Sequence, residues 1–403
     1  MTLRPLAILL LALASEGAAV AKPRPPPPPP RALTGPLTAS ACVSCATNSL
    51  GVWAGDGGDF MVSFSPAGSG FRAFRRLFDV EGNGGPDVPV PGDTDAAFAG
   101  AGAVAGGWAI GWFEPGSRVL MQRLDASGMA VSDMIVVNGD KPAGADDDNG
   151  TMITADGRVV FVFSRSLPGS GPDPVVALLR AADGTSIAGP TTLGTSFNRA
   201  GAVACARPDG GAVAAWSLLA GDPLPDQPNP VGVAVGRLNA TGTAAGPMVI
   251  LQPSALLPPV PWPGQAVACA QDGSYTVAWH TNLKPAKSGW DVVWQRFDRY
   301  GRKRGGVQLL NGGQAGDQLE PAVMFEPDGS SLAVWVSRTD SGSTLVGRRF
   351  AAAGGAQGQE FPLHVAAAGQ QADRPLLTVI PGTGRFVLGW SEGGQAWVQV
   401  FGN

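Results

Sequence analysis

The chain alternates short apolar runs with tight glycine-containing turns along nearly its whole length. Gly273 separates two such runs, and an aromatic residue, Trp279, follows it six positions later. The same offset occurs in seven units, namely Gly58/Phe64, Gly106/Trp112, Gly157/Phe163, Gly210/Trp216, Gly273/Trp279, Gly329/Trp335 and Gly384/Trp390. In units three to six an aspartate precedes the glycine, and Asp-Gly between apolar runs is a strong hairpin signal because both residues tolerate positive φ. Each unit therefore predicts a pair of antiparallel strands.

A second motif follows each hairpin and predicts a third strand that runs into another tight turn. In unit five it spans Gln295–Gly301, with the letters QRFDRYG. Related copies are Leu77–Gly82, Gln122–Gly128, Arg237–Gly242 and Arg349–Gly354, with a shortened version at Arg180–Gly184. The mean spacing of about 54 residues between anchors, with four short strands per unit, is typical of propellers. We therefore predict an all-β, seven-bladed β-propeller of four-stranded antiparallel blades, with the seven aromatic anchors in the core between blades.

The last unit lacks an outer strand, because the sequence ends shortly after its third strand. The segment around Gly35–Ala39 lies 23 residues before the turn glycine Gly58, and Gly306 lies 23 residues before Gly329 in unit six. That match predicts that the N-terminal segment supplies the missing outer strand of the seventh blade. Pairing of the two chain ends would leave no blade with an open sheet.

The first residues predict export. Residues 1–21 hold one arginine, a short apolar run and the small-residue sequence Ala19-Val20-Ala21, which together indicate a secretory signal peptide cut after Ala21. The apolar run is too short for a membrane span, so no transmembrane segment is expected after cleavage. Residues 22–31 contain six consecutive prolines and predict a stiff polyproline linker. The propeller is then expected to form a single domain over residues 32–403, secreted or periplasmic and monomeric.

The connections that vary in length predict the binding face. The glycine turns are short in every unit, whereas the longest connections, Ala220–Val231 and Gln252–Gly264, both belong to unit four and meet on the opposite rim. Prolines in these loops reduce the entropy lost on ordering and favour a preformed surface. The expected ligand-binding residues are Trp262, Trp290, His280, Lys284, Lys287, Asp226 and Asn229. An exposed tryptophan there would stack on a sugar ring or anchor a protein partner, although Trp262 could instead fill the wedge between blades four and five.

Four cysteines allow three disulfide connectivities. Cys42 and Cys45 lie at the junction of units seven and one and are the expected disulfide; a redox or metal pair is the alternative. Cys205 and Cys269 occupy equivalent places in the inner strands of units four and five. They are expected to be mainly small buried residues, since a bridge needs Cα atoms within about 7 Å.

Residues suited to catalysis are few. The two histidines, His280 and His364, belong to different units, so a nucleophilic triad that needs a histidine is not favoured. His364 is expected to be exposed. Asp146-Asp147-Asp148-Asn149-Gly150 resembles part of a calcium loop but lacks the later glutamate, so a solvated acidic loop is the preferred interpretation and no metal or cofactor is expected. Carboxylates on the variable rim could serve as an acid/base pair. They are Asp93, Asp95, Asp222, Asp226, Asp317, Glu320, Asp373 and Glu392.

The net charge of −4, with charges scattered along the chain, argues against nucleic acid or an anionic membrane as partner. The DG-x5-W and QRFD-x-x-G motifs resemble repeats of exported bacterial proteins that look like seven-bladed propellers of WD-repeat or kelch shape. The resemblance covers residues 35–403 and implies a fold without implying a reaction, since no catalytic residue belongs to the repeat. We expect a binding or scaffold protein that recognises a protein or carbohydrate on its variable face. A glycosidase or lyase using rim carboxylates is the competing interpretation.

Overall fold

The structure is a computed structural model that describes residues 26–402 with gaps. The ranges left out are 41–46, 67–71, 93–96, 115–117, 140–141, 143–144, 169–171, 197–200, 220–229, 252–263, 283–288 and 313–314. The predicted signal peptide and the start of the proline-rich linker therefore lie outside the described residues, as do Cys42 and Cys45. Within the described part of the chain, no helix is long and apolar enough to cross a membrane.

Two short strands come first along the chain, β1 (Arg31–Ala32) and β2 (Leu37–Thr38), and seven blades follow. Blade 1 has β3 (Thr47–Ala54), β4 (Phe60–Pro66), β5 (Phe74–Phe78) and β6 (Val88–Pro89). Blade 2 has β7 (Ala97–Val104), β8 (Gly107–Glu114), β9 (Arg118–Asp125) and β10 (Ile135–Val136). Blade 3 has β11 (Asp146–Ala155), β12 (Arg158–Ser166), β13 (Asp173–Arg180) and β14 (Ser186–Ser196).

Blade 4 has β15 (Ala202–Ala206), β16 (Ala212–Leu219), β17 (Pro230–Leu238) and β18 (Val249–Leu251). Blade 5 has β19 (Ala266–Cys269), β20 (Tyr275–Thr281), β21 (Asp291–Phe297) and β22 (Lys303–Leu309). Blade 6 has β23 (Asp317–Phe325), β24 (Ser331–Thr339), β25 (Gly342–Phe350) and β26 (Ala356–Val365). Blade 7 has β27 (Ala372–Ile380), β28 (Arg385–Glu392) and β29 (Gln395–Gly402). Strands within each blade pair antiparallel, and the seven innermost strands contact one another in order around a ring.

The predicted closure of the ring is confirmed. In blade 7, β29 pairs antiparallel with β1 through Arg31 opposite Gly402, and with β2 through Leu37 opposite Val398. The first paired residue, Arg31, lies one position before the predicted domain start. Because the N-terminal segment covers the outer edge of β29, the last blade does not present an unpaired third strand.

The core consists of seven apolar clusters, each formed between two neighbouring blades. Each cluster contains one of the seven aromatic anchors, which come from the second strand of the later blade. Their exposed fractions are 0–1% for six anchors and 4% for Trp279. The predicted role of the anchors in the core between blades is confirmed, because the aromatic ring fills the wedge that two adjacent sheets leave between them.

One face of the propeller, which we call the turn face, holds the turns that join the first strand to the second and the third to the fourth. An Asp or Asn after the third strand accepts backbone N–H bonds from residues two and four positions later, as Asp79, Asp298 and Asn239 do. These bonds lower the pKa of Asp298, with the N–H of Arg302 as the main cause. Because the same hydrogen bonds form in several blades, the backbone of this turn depends little on its other side chains.

Arginines at the turn face join neighbouring blades, and we call them the inter-blade arginines. Each donates a hydrogen bond to the next blade. The acceptor is the backbone carbonyl at an equivalent position in the turn after the third strand. The pairs are Arg158 Nη1 to Ala240 O at 2.6 Å, Arg207 Nη2 to Arg299 O at 3.1 Å, and Arg385 Nη1 to Val80 O at 3.0 Å. Arg296 makes the equivalent bond to the Ala352 carbonyl from its third strand. The sequence motif predicted the turns but did not predict these bonds, which hold the rims of the blades together.

Candidate functional site

The opposite face, which we call the open face, holds the connections of variable length. The strand ends Leu219 and Pro230 lie there, as do Leu251 and Ala266, because antiparallel strands place alternate ends on the same side. Five of the expected binding residues, Trp262, Lys284, Lys287, Asp226 and Asn229, lie outside the described residues. The two that are described, His280 and Trp290, lie in contact in blade 5.

His280 and Trp290 face each other across the hairpin of β20 and β21. Their ring centroids are 5.3 Å apart at an interplanar angle of 89°, an edge-to-face arrangement. The backbone of Trp290 is held by blade 6: its N–H donates to Asp317 Oδ1 at 3.1 Å, and its carbonyl accepts from the Gln318 N–H at 2.8 Å. These bonds fix a half-buried tryptophan at the junction of blades 5 and 6.

His280 is a buried, neutral imidazole. Only 3% of the residue is exposed, and burial lowers its pKa to about 4. Its Nδ1 accepts a hydrogen bond of 3.2 Å from the backbone N–H of Glu320, which places the proton of the neutral ring on Nε2. That Nε2 has no hydrogen-bond partner among the described residues. The ring therefore offers an unused donor at this junction.

Glu320 lies at a bulge near the open-face end of β23. Its φ is 50°, and the register of β23 against β24 shifts between Leu319 and Ala322. The equivalent position in β27 is Arg374, with φ 54°, and its N–H donates to Glu320 Oε2 at 2.6 Å. Positive φ in non-glycine residues costs free energy and is concentrated at functional positions. Glu320 and Arg374 thus lie together near the open-face ends of two neighbouring inner strands.

The carboxyl group of Glu320 is half-buried, and its surroundings shift its pKa. Burial raises its pKa, the hydrogen bond from the Arg374 N–H opposes that rise, and the nearby charge of Asp373 adds to it. Asp373 forms an ion pair with Arg338, and both side chains are about one-third exposed. Together His280, Trp290, Glu320, Arg338 and Asp373 form what we call the axial site, which spans blades 5, 6 and 7.

Unsatisfied polar atoms accompany the axial site. Besides His280 Nε2, the buried Asn282 Oδ1 and Gln318 Nε2 lack partners within the described part of the chain. Gln318 uses its other amide atom, Oε1, to accept from Trp335 Nε1 at 2.9 Å. Buried polar groups without partners are uncommon and are satisfied by water or by a ligand. Three such atoms lie close together at the junction of blades 5 and 6.

A neighbouring group on the same rim corrects the expectation for His364. Its side chain is only 17% exposed, because β26 packs against blade 7, where His364 Nε2 bonds to the Glu392 carboxylate and its ring lies 4.5 Å from that of Trp390. Burial opposes ionisation of Glu392, but hydrogen bonds from the Ala367 N–H, His364 and Trp390 outweigh it and lower the pKa of that carboxyl. Glu392 is thus an ionised structural acceptor.

The acidic stretch before blade 3 is also corrected. Residues 146–150 begin strand β11, and Asp147 is buried at 1% exposure instead of lying in a solvated loop. Its carboxylate pairs with Arg165 at 2.7 Å and 2.8 Å and accepts from Asn138 Nδ2 at 2.8 Å. A carboxylate saturated in this way has little capacity left for calcium. Among the described residues no three His, Cys, Asp or Glu side chains gather as metal ligands.

The two inner-strand cysteines are bonded to each other, contrary to the expectation that they are simply small buried residues. Cys205 in β15 and Cys269 in β19 form a disulfide with Cα atoms 5.7 Å apart. Neighbouring inner strands converge on the channel, which brings equivalent positions within bridging distance. The disulfide lines an apolar cavity of about 770 Å³ at the turn-face end of the channel, together with residues such as Phe325, Leu377 and Val379.

Part of the axial site had a signal in the sequence. Glu320 and Asp373 were expected among the rim carboxylates, and Trp290 and His280 among the ligand-binding residues, but nothing joined the two sets. The pairs Glu320-Pro321 and Arg374-Pro375 start equivalent inner strands, and a residue before proline has a restricted backbone. A residue before proline at the same position of two neighbouring inner strands is the sequence signal that could have predicted the two adjacent bulges.

Several solved structures share the fold at low sequence identity. Puromycin hydrolase superposes with a TM-score of 0.50 and 18% identity over 91% of this chain, and this chain spans about half (52%) of that protein. The polysaccharide lyase Uly1 superposes with a TM-score of 0.50 and 10% identity over 90% of each chain. The α-L-arabinanase of Penicillium chrysogenum gives 0.49 and 11% identity over 93% of this chain and 98% of that one.

No protein-family model matches the sequence, and no curated protein matches it either. Identities this low show a common architecture and nothing about ligand or reaction. What the comparisons and the structure establish together is an all-β propeller of seven four-stranded blades.

Proposed function

We propose that this chain is an exported carbohydrate-binding β-propeller whose ligand docks in the axial site. The observation that carries the proposal is the combination of a half-buried tryptophan, Trp290, with unpartnered polar atoms on His280, Asn282 and Gln318 beside it. A sugar ring presents an apolar C–H face and a rim of hydroxyl groups. It can therefore stack on an indole while its hydroxyls pair with fixed donors and acceptors.

The charged members of the axial site support the same ligand class. The Asp373–Arg338 pair and the Glu320 carboxyl present planar groups that can each pair with two hydroxyls. A ligand whose hydroxyls pair with the unpartnered polar atoms of the protein binds more tightly, because those atoms otherwise lack hydrogen bonds. A protein ligand is the alternative partner, and the variable connections of the open face would then form the rest of the contact.

A glycan array probed with the purified protein tests the proposal directly. A bound glycan is expected, and Trp290→Ala should weaken its affinity by roughly tenfold or more because stacking and burial are lost. Met129→Ala, which truncates an exposed side chain on the turn face of blade 2, is the matched control and should leave that affinity unchanged. Binding that survives Trp290→Ala intact would contradict the axial site.

A glycosidase or lyase remains the second candidate, and the raised pKa of Glu320 beside a second carboxylate favours it. In that case Glu320 would act as the protonated acid and Asp373, held by Arg338, as the ionised partner. A polysaccharide hydrolysis screen separates the two functions. Glu320→Gln and Asp373→Asn should abolish any turnover while preserving fold, with Asp222→Asn and Asp226→Asn as controls on the unit-four loop. Binding without product formation supports the binding protein.

Export and domain organisation belong to the same proposal. The signal-like residues 1–21 and the Cys205–Cys269 disulfide both support a secreted or periplasmic location, because disulfides persist in oxidising compartments. The mature protein is proposed to be a monomer. The proline-rich residues 22–31 would then join the cleavage site to the propeller. Mass measurement of the mature protein should give a chain that begins at Lys22.

A further inference from the structure

The turn after β21 carries a group of cations that the fold does not use. Arg299, Arg302, Lys303 and Arg304 are all exposed, and none forms an ion pair among the described residues. Charges are otherwise scattered along the chain, but here four cations fall within six positions, although the net charge of the chain is −4. We call this group, together with Tyr300 and Arg237, the blade 5 basic turn.

The equivalent turns show that these side chains are not needed for folding. The same backbone hydrogen bonds form around Asp79 in blade 1 and Asn239 in blade 4. After those residues the sequences are VEGNGG and ATGTAA, whereas after Asp298 the sequence is RYGRKR. One turn geometry therefore tolerates neutral or acidic side chains, and the basic ones must be explained by something other than the turn.

A fifth cation adds to the group from blade 4. The guanidinium of Arg237 lies against Gly301, so close that a Cβ built on that glycine would be 2.4 Å from Arg237 Cζ. Arg237 is half-buried, and its side chain has no hydrogen bond or ion pair within the described part of the chain. Asp298 and Asp272 are the nearby carboxylates, and both are occupied by turn hydrogen bonds. Four exposed cations and the half-buried Arg237 therefore lie near only two carboxylates, both engaged in turn hydrogen bonds.

Tyr300 gives the basic turn a flat aromatic surface. Its exposed fraction is 61%, and the Arg299 and Arg302 guanidinium carbons lie 5.0 Å and 5.9 Å from its ring centroid. Cation–π contacts on both flanks restrict the ring while leaving it accessible. An exposed, restrained tyrosine beside several unpaired cations suits a ligand that has both flat rings and negative charges.

We infer that the blade 5 basic turn binds an anionic polysaccharide, one that bears carboxylate or sulfate groups on its sugar rings. Such a polymer places anions at intervals along an extended chain, which matches cations distributed along Arg299–Arg304 into the exposed outer strand β22. Its sugar rings supply the partner for Tyr300. This surface lies on the turn face and is distinct from the axial site.

Affinity measurements with polygalacturonate and dextran sulfate test the inference on the whole mature protein. At least one polymer should bind, neutral dextran should not, and affinity should fall as salt rises because exposed charges are screened. The triple substitution Arg299→Gln, Arg302→Gln, Arg304→Gln should weaken binding by roughly tenfold or more. Among single substitutions, Arg304→Gln should weaken binding, whereas Arg31→Gln, which removes one exposed charge elsewhere, should not.

The role of the ring separates a polysaccharide from other anions. Tyr300→Ala should weaken polymer binding several-fold, and Tyr300→Phe should retain it, since stacking needs the ring and not the hydroxyl. Trp290→Ala should have no effect, which keeps this test independent of the axial site. Failure of both polymers to bind overturns the inference. Equal binding to phosphatidylglycerol vesicles or duplex DNA, indifferent to Tyr300, overturns it in favour of a general anion surface.

Discussion

The two faces of this propeller are built on opposite principles. On the turn face, the connections are short, their backbones repeat from blade to blade, and the inter-blade arginines bond to equivalent carbonyls. On the open face, the connections differ in length, and two inner strands carry non-glycine residues at positive φ within bulges. The repeat thus encodes stability at one end of each blade and leaves the other end free to vary. Function is expected where side chains depart from the repeat, at the axial site on the open face and at the blade 5 basic turn on the turn face.

Opening the ring should have the largest effect, because both faces depend on closure. A truncated chain that begins at Asn48 lacks β1 and β2 and exposes the edge of β29. It should lose cooperative unfolding or become oligomeric, as seen by thermal denaturation and light scattering. A chain that begins at Pro26 keeps both strands and should behave like the full protein. Unchanged melting of the shorter chain would contradict the assigned closure.

Truncating a tryptophan of the repeat should destabilise the protein more than truncating a tryptophan of the open face. Trp216→Ala removes a fully buried anchor between blades 3 and 4, so unfolding free energy should fall by about 3–5 kcal/mol. Trp290→Ala removes a half-buried ring at the axial site, and the loss should be clearly smaller. Chemical denaturation of the two variants provides the measurement. Equal losses would mean that Trp290 belongs to the core instead of a ligand surface.

The pH dependence of stability should depend on His280. Its pKa is about 4 in the folded state against an ordinary value of 6.5, so the unfolded chain binds the proton more readily. The stability that comes from a neutral His280 is therefore complete above pH 6.5 and is lost as pH falls toward 4, by about 3 kcal/mol. Denaturation curves at pH 7 and pH 4 should show this loss, and His280→Gln should lack that component. The same pH dependence in both proteins would exclude His280 as its source.

The smallest effect concerns the turn face itself. Arg158→Gln breaks the bond to the Ala240 carbonyl and should cost about 1 kcal/mol. Arg304→Gln, in the blade 5 basic turn, removes an arginine without a structural partner and should change stability by less than about 0.5 kcal/mol. The denaturation midpoints of the two variants, measured side by side, distinguish an arginine that stabilises the fold from an arginine that is available for binding. A larger loss for Arg304→Gln would reverse that distinction.

Most of the fold was predictable because its determinants recur. A glycine turn and an aromatic anchor at constant spacing predict a hairpin wherever they occur, and seven repeats predict a ring. The axial site was predictable only in part, because Glu320 and Arg374 come together through bulges whose geometry depends on neighbouring blades. His364, Asp147 and the Cys205–Cys269 pair were misjudged for the same reason. Each interacts with a residue on another strand or blade, and no local pattern encodes such a contact.

Closure by β1 and β2 also has a consequence for the order of events in biosynthesis. These strands emerge from the ribosome before the blades, yet their partner β29 is synthesised last, since Arg31 lies opposite Gly402. The closing segment must stay unpaired while seven blades form, and its pairing spans almost the whole chain, which is entropically slow. Ring closure is therefore the last pairing step of assembly, and it follows the formation of the blades themselves.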